Sequence, residues 1–152
     1  MVDAGFYIVS DDFFNKVNDP GLMGNDQENR PHCFCFEKDG FYWMIPMSSQ
    51  VTKYKAIIQN KLSTNKPCDI LHVAILDDGK ESAFLIQNIF PVTIEFVKRE
   101  YTIGTNHLRV TSESLKNEII KKAYNVIKLL EKGIKLLPNQ QDIKAIKEKL
   151  VE

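Results

Sequence analysis

The stretch "HCFCFEKDGFYWMIPM", His32–Met47, holds two β-rich runs joined at Asp39-Gly40. Asp-Gly between apolar runs is the strongest short hairpin signal, because both residues tolerate the positive φ that a two-residue type I′ turn demands. An antiparallel pair is therefore the seed of the fold. Upstream, "GFYIVS" is a short β-type run, and Asp11-Asp12 after Ser10 opens a helical turn around Phe13–Val17. The Asp-, Asn-, Gly- and Pro-rich segment that follows, up to Pro31, reads as a long loop, and such loops inside compact domains are usually functional or disordered. Downstream, a helix is expected from about Thr52 to Leu62. "DILHVAIL" and "SAFLIQNIFPV" flank the turn "DDGKE" as a second hairpin, and "TIEFVKREYTI" reads as a further strand. The expected sheet is antiparallel and mostly sequential.

From Thr111 the apolar period changes from two to 3.6. Leu115, Ile119, Ile120, Ala123, Val126, Ile127 and Leu130 form one stripe, with Thr111 or Ser112 as cap and Gly133 just past the end. The other face carries Lys116, Lys121, Lys122, Lys128 and Lys132. After Pro138, Asn139 is the expected cap of a last helix bearing Ile143, Ile146 and Leu150. The fold class is α+β: a compact, strongly curved, barrel-like antiparallel sheet over about 5–105, with appended C-terminal helices over about 111–151, in one domain spanning 1–152.

A chain of 152 residues can bury a real core. Its 20 acids and 20 bases balance, so no global charge draws it to nucleic acid or membrane. The balance is uneven along the chain: residues 1–49 carry eight acids against three bases, and the remainder twelve against seventeen, so a polyanion should meet the second part. No apolar run is long enough to span a bilayer and Met1–Val9 has no lysine or arginine, which reads as a cytoplasmic protein with no membrane partner. Three cysteines argue against a disulfide scaffold.

His32, Cys33, Cys35, Cys68 and His72 are soft-ligand types, but no zinc spacing joins them, and no glycine-rich phosphate loop occurs, so neither metal nor nucleotide cofactor is expected. His32 starts a strand after Arg30-Pro31. Strand alternation sets it with Phe34 and Phe36, which makes it either a proton-transfer group at the sheet's rim or a histidine at the edge of an aromatic core. The hairpin brings the end of its second strand near the start of the first, so Ser48 and Ser49 should neighbour His32. With Lys53 or Lys55 one helical turn on, these supply a base, an acid and donors for attack of a ribose 2′-hydroxyl on its own 3′-phosphate. The plainer alternative is that Ser48-Ser49 cap a helix and the lysines are solvated.

At these residues the sequence resembles the type III toxin–antitoxin endoribonucleases, the ToxN, AbiQ and CptN family, and is most like CptN. "FYIVS" resembles the family's opening strand, "NRPHCFCFEKDGFYWMIPMSS" its proline-containing strand, hairpin and Pro-x-Ser/Thr-Ser motif, and "AFLIQNIFPV" its later strand ending in proline. The resemblance runs from about Phe6 to the C-terminal helices. It implies a metal-independent RNase that leaves a 2′,3′-cyclic phosphate, an antitoxin RNA folded as a pseudoknot that blocks the site, a closed toxin–RNA assembly, and a role in phage defence or growth arrest.

Ser48 and Ser49 match the family's Ser/Thr-Ser pair. His32 stands where relatives often have lysine, and Val51 where ToxN-type relatives carry one, with Lys53 as its replacement; these departures favour a histidine-centred mechanism over a lysine-centred one, with His32 moving protons, Ser48 and Ser49 holding the scissile phosphate and Lys53 stabilising the transition state. The expected catalytic set is His32, Ser48, Ser49 and Lys53; the expected RNA contacts are Arg30, Tyr54, Lys55, Lys116, Lys121, Lys122 and Lys128. A non-catalytic RNA-binding module and a barrel-fold toxin acting on a protein are the rival readings.

Overall fold

A computed structural model describes residues 1–152. The hairpin forms as expected: β2 (His32–Lys38) and β3 (Phe41–Ser48) pair from Lys38↔Phe41 to His32↔Pro46. Asp39 and Gly40 take φ of 57° and 81°, the left-handed values the turn requires. Trp43 Nε1 donates to the Lys38 carbonyl at 3.0 Å and fastens the turn to the strand.

β3 is the centre of the sheet. One edge pairs with β2; the other pairs twice with a single passage of chain, β5 (Glu81–Phe84) beside Met47 and Ser48, and β6 (Phe90–Val92) beside Tyr42–Met44. The run expected as one strand is thus broken by a 3₁₀ turn at Ile86–Asn88. The break is held from outside the ladder: Gln87 N donates to the Ile70 carbonyl at 2.8 Å, and the buried Gln141 amide donates to the carbonyls of Gln87 and Ile89, each at 2.9 Å.

With β1 (Phe6–Val9), β4 (His72–Ile75) and β7 (Val97–Glu100), the strand order is β4-β5-β3-β2-β1-β7 and all pairings are antiparallel. The pairs β1–β2, β2–β3 and β4–β5 are sequential, as expected for most of the sheet, while β7 returns to β1 and β5 and β6 return to β3. The sheet does not close. β4 and β7 are separate edges that do not pair, which corrects the barrel-like expectation: alternation reports strands, whereas closure depends on which edges meet. β8 (Thr102–Ile103) and β9 (Asn106–His107) form a separate small ribbon.

Four helices cover the sheet. α3 (Glu113–Glu131) lays Ile119, Ala123, Val126, Ile127 and Leu130 on a core that includes Phe6, Cys33, Trp43, Ile45 and Phe84. Ser112 caps it, accepting from Leu115 N at 3.3 Å. A second core joins Tyr7, Val9, Phe34, Met44 and Phe90 to Phe13 and Val17 of α1 (Asp11–Val17) and to Ile146 and Leu150 of α4 (Ile143–Leu150). At the start of β2 neighbouring residues therefore serve different cores, Cys33 one and Phe34 the other. α4 is capped by Asp142, not by Asn139; Asn139 Nδ2 instead donates to the Pro20 carbonyl at 3.1 Å. α2 (Val51–Ser63) is anchored by Tyr54 in a third core with Cys68, Leu71, Ala83 and Leu85. All three cysteines are free and buried, and no helix is long and apolar enough to cross a membrane.

Candidate active site

The candidate site forms where β3 ends. Met47 and Ser48 are still paired to Phe84 and Ala83; the chain then leaves the sheet and turns through Ser49 and Gln50 into α2. Gln50 N donates to Ser48 Oγ at 3.1 Å and Val51 N to the Ser49 carbonyl at 2.9 Å, which fixes the turn. Gln50 contributes no side-chain cap, and the amides of Thr52 and Lys53 have no acceptor. Unsatisfied first-turn N–H groups and the positive end of the helix dipole together favour an anion.

Beside this turn is a cleft of about 460 Å³ whose lining includes Arg30, Ser48, Ser49 and Gln50 on one wall, Asp78, Lys80 and Ser82 on the other, and an apolar floor containing Phe6, Met47 and Leu108. Tyr101 also faces it, as do Asp26 and Asn29 from the long loop. Arg30 Nη1 donates to the Met47 carbonyl at 2.6 Å, so the guanidinium is tied to the end of β3; its Nε is buried without a partner. Lys80 projects from the β4–β5 hairpin, where Asp78 Oδ1 accepts its backbone N–H at 3.0 Å, and its ammonium is exposed and outside every ion pair. The Ser48 and Ser49 hydroxyls, the Arg30 guanidinium and the Lys80 ammonium thus belong to residues lining one cleft, with Asp26 and Asp78 as its carboxylates. This is a donor set for the non-bridging oxygens of a phosphodiester and for the extra charge of a phosphorane.

His32 is not part of it, which corrects the expectation drawn from the sequence. The register does bring its backbone opposite Pro46, near Ser48, but its side chain points to the other side of the sheet and lies between Phe14 and Phe90 with no exposed surface. Neither ring nitrogen has a hydrogen-bond partner. Burial, with the nearby Arg30 charge adding to it, pushes its pKa from 6.5 down to about 3, so the ring is neutral. The cleft opens on the face of Phe6 and Met47, whereas the His32 ring is packed on the face of Phe90, so a close backbone register does not bring the side chain to the site.

The other expected residues divide. Ser48, Ser49 and Arg30 line the cleft. Lys53 lies on the first turn of α2, exposed, with Nζ 5.2 Å from the Tyr54 ring centroid, and does not line the cleft. Tyr54 is a buried anchor and cannot contact RNA. Lys55 pairs with Glu81 at 2.6 Å. Lys122 is also committed, with Nζ 3.0 Å from His72 Nδ1 and 3.8 Å from Glu118. Burial and, second, Lys122 lower the His72 pKa. These paired groups border a larger groove of about 840 Å³ between α2, β4 and α3. Lys116 pairs with Glu113 at 3.0 Å, whereas Lys121 and Lys128 are exposed and unpaired. Lys80, Ser82 and Tyr101 were missed from the sequence. "DDGKE" is fully explained as turn chemistry, so Lys80 carried no separate signal.

Neither a protein-family model nor a curated protein sequence matches this chain. Solved structures do. AbiQ, a lactococcal anti-phage endoribonuclease of the type III toxin–antitoxin system, superimposes with a TM-score of 0.74 at 15% identity, over 99% of this chain and 97% of its own. A structure from a bacterial type III system in which a non-coding RNA pseudoknot selectively inhibits the toxin gives 0.67 at 15% identity, with the same coverage. A third, from a bacterial antiviral system regulated by a processed non-coding RNA, gives 0.58 at 14% identity over 97% of each chain. Over nearly its whole length, then, this chain has the fold of AbiQ and of the type III toxin–antitoxin structures related to it.

Proposed function

We propose that the protein is a metal-independent endoribonuclease toxin of a type III toxin–antitoxin system, acting as one unit over residues 1–152. The observation that carries this reading is the convergence of Ser48, Ser49, Arg30 and Lys80 on one cleft, within the fold of an anti-phage endoribonuclease. The 2′-oxygen of a ribose attacks the adjacent phosphorus, the bond to the 5′-oxygen breaks, and a 2′,3′-cyclic phosphate and a 5′-hydroxyl result. Ser49 and Ser48 hold the non-bridging oxygens; Arg30 and Lys80 offset the charge that develops there. With His32 sealed in a core, proton transfer falls to Lys80, the lysine that lines the cleft. The likeness to the pseudoknot-inhibited toxin supports an RNA pseudoknot as antitoxin, occupying this cleft in a closed toxin–RNA assembly in the cytoplasm.

Incubating the purified protein with bulk RNA tests the reading. Cleavage leaving cyclic phosphate termini is expected, with Ser49→Ala slowed at least about a hundredfold, as for loss of one oxyanion donor. Binding without cutting would make the protein an RNA-binding module, and neither would point to a protein target.

A further inference from the structure

Lys121, Tyr124 and Lys128 stand at i, i+3 and i+7 along α3, on one stripe outside the core. All three are exposed, Tyr124 by 38%. Its ring lies parallel to that of Phe36 in β2, with centroids 4.3 Å apart and an interplanar angle of 9°. A bulge in β2 between Phe34 and Phe36 departs from strict alternation and re-aims Phe36 toward α3. Phe36 backs one side of the tyrosine and leaves the rest open.

An exposed aromatic ring alone is ordinary. Here it is bracketed by two lysines about 10.5 Å apart along the helix axis, at 1.5 Å per residue. Neither has an ion-pair partner, although Lys116 and Lys122 on the same helix are both committed. The nearby carboxylates, Asp3 and Glu37, border the hollow on the sheet side of the ring, so the free positive charge is on the helix crest. A π-face with cations to either side is the arrangement that binds unpaired nucleotides: the base stacks, and the adjoining phosphates meet the ammonium groups. This surface shares no lining residue with the cleft at Ser48 and Ser49.

We propose that Tyr124, backed by Phe36, is a stacking platform for an unpaired base of bound RNA, with the flanking phosphates on Lys121 and Lys128. The proposal rests on the RNA-directed function above and adds a second contact distant from the chemistry.

The test is fluorescence anisotropy of the full chain with a labelled single-stranded 2′-O-methyl oligoadenylate, which lacks the attacking hydroxyl and survives the measurement. Tyr124→Phe should bind within about twofold of wild type and Tyr124→Leu about tenfold more weakly. Lys121→Gln with Lys128→Gln should flatten the dependence of log affinity on log salt by about 1.4 in slope, at about 0.7 per phosphate on a single strand. Cleavage of a di- or trinucleotide, too short to reach α3, should be unchanged in each variant. Wild-type affinity in Tyr124→Leu, or an unchanged salt slope in the lysine pair, would overturn the platform and leave the nuclease standing. A wild-type protein that neither binds the probe nor cuts RNA would overturn both. Should Tyr124→Leu fold poorly, the lysine pair and cross-linking of a 4-thiouridine probe decide: a cross-link to the α3 peptide supports the platform, and its absence overturns it.

Discussion

His32 shows how far a single side chain can mislead when only its neighbours in sequence are known. Its ring is buried, lacks partners and titrates near 3, while an unfolded imidazole titrates near 6.5. Between these values the unfolded chain binds a proton that the folded chain does not, so stability is fully present above pH 6.5 and falls as pH drops toward 3. From pH 7 to pH 5 the loss amounts to about 2 kcal/mol, at 1.36 kcal/mol per pH unit once the unfolded ring is charged. Urea denaturation of wild type and His32→Leu at the two pH values should show the gap shifting in favour of leucine by that amount. Parallel pH curves would mean that the imidazole titrates normally in the fold. The same burial predicts that RNA cleavage by wild type carries no inflection belonging to His32 between pH 6 and 7. A rate inflection there that vanishes in a folded His32→Gln variant would return the histidine to the mechanism.

At the level of elements, the sequence was most legible where local chemistry acts alone. Asp39-Gly40 specified its turn, and the 3.6-residue stripe from Leu115 to Leu130 specified α3, because both signals are contained within a few neighbouring residues. It failed where a distant segment decides. The break at Ile86–Asn88 depends on Gln141, more than fifty residues away. The loop before Pro31 is ordered by Asn25, whose amide donates to the Val9 carbonyl at 2.9 Å and to Asp11 at 2.8 Å. The start of α4 depends on Asp142, since Asn139 is occupied with Pro20. Asp142→Ala should therefore cost about 1 kcal/mol of stability, as for loss of a helix cap, and Asn139→Ala less than about 0.5 kcal/mol. Equal effects in chemical denaturation would mean that the cap is shared. Gly21 belongs to the same long-range class: a Cβ there would come within 2.3 Å of Gln141 N, so Gly21→Ala should be more damaging than either. In the site, Ser48, Ser49 and Arg30 were legible through the hairpin, while Lys80 required knowing that β5 pairs with β3.

Across the whole molecule, Arg30 and Lys80 belong to the cleft, while the unpaired Lys121 and Lys128 lie on α3. The cleft's donors are side chains, and no three histidine, cysteine or carboxylate side chains converge anywhere in the protein. RNA cleavage should therefore survive excess EDTA; loss of activity restored by magnesium or zinc would replace the proposed donor set with a metal centre. The buried cysteines bear on a different question. Cys33 and Cys35 lie in the central strand pair, at 1% and 4% exposure, whereas Cys68 at 7% belongs to the small core beneath α2. A thiol reagent reaches each only when its surroundings open, so labelling rates are a clock for local motion. Cys68 should react in step with α2 lifting from the sheet, and Cys33 and Cys35 only with global unfolding. Because the turn that leads into α2, Ser48–Gln50, lines the cleft, the rate at Cys68 measures how often the element behind that turn comes apart, and RNA bound in the cleft should slow that clock while leaving the other two unchanged.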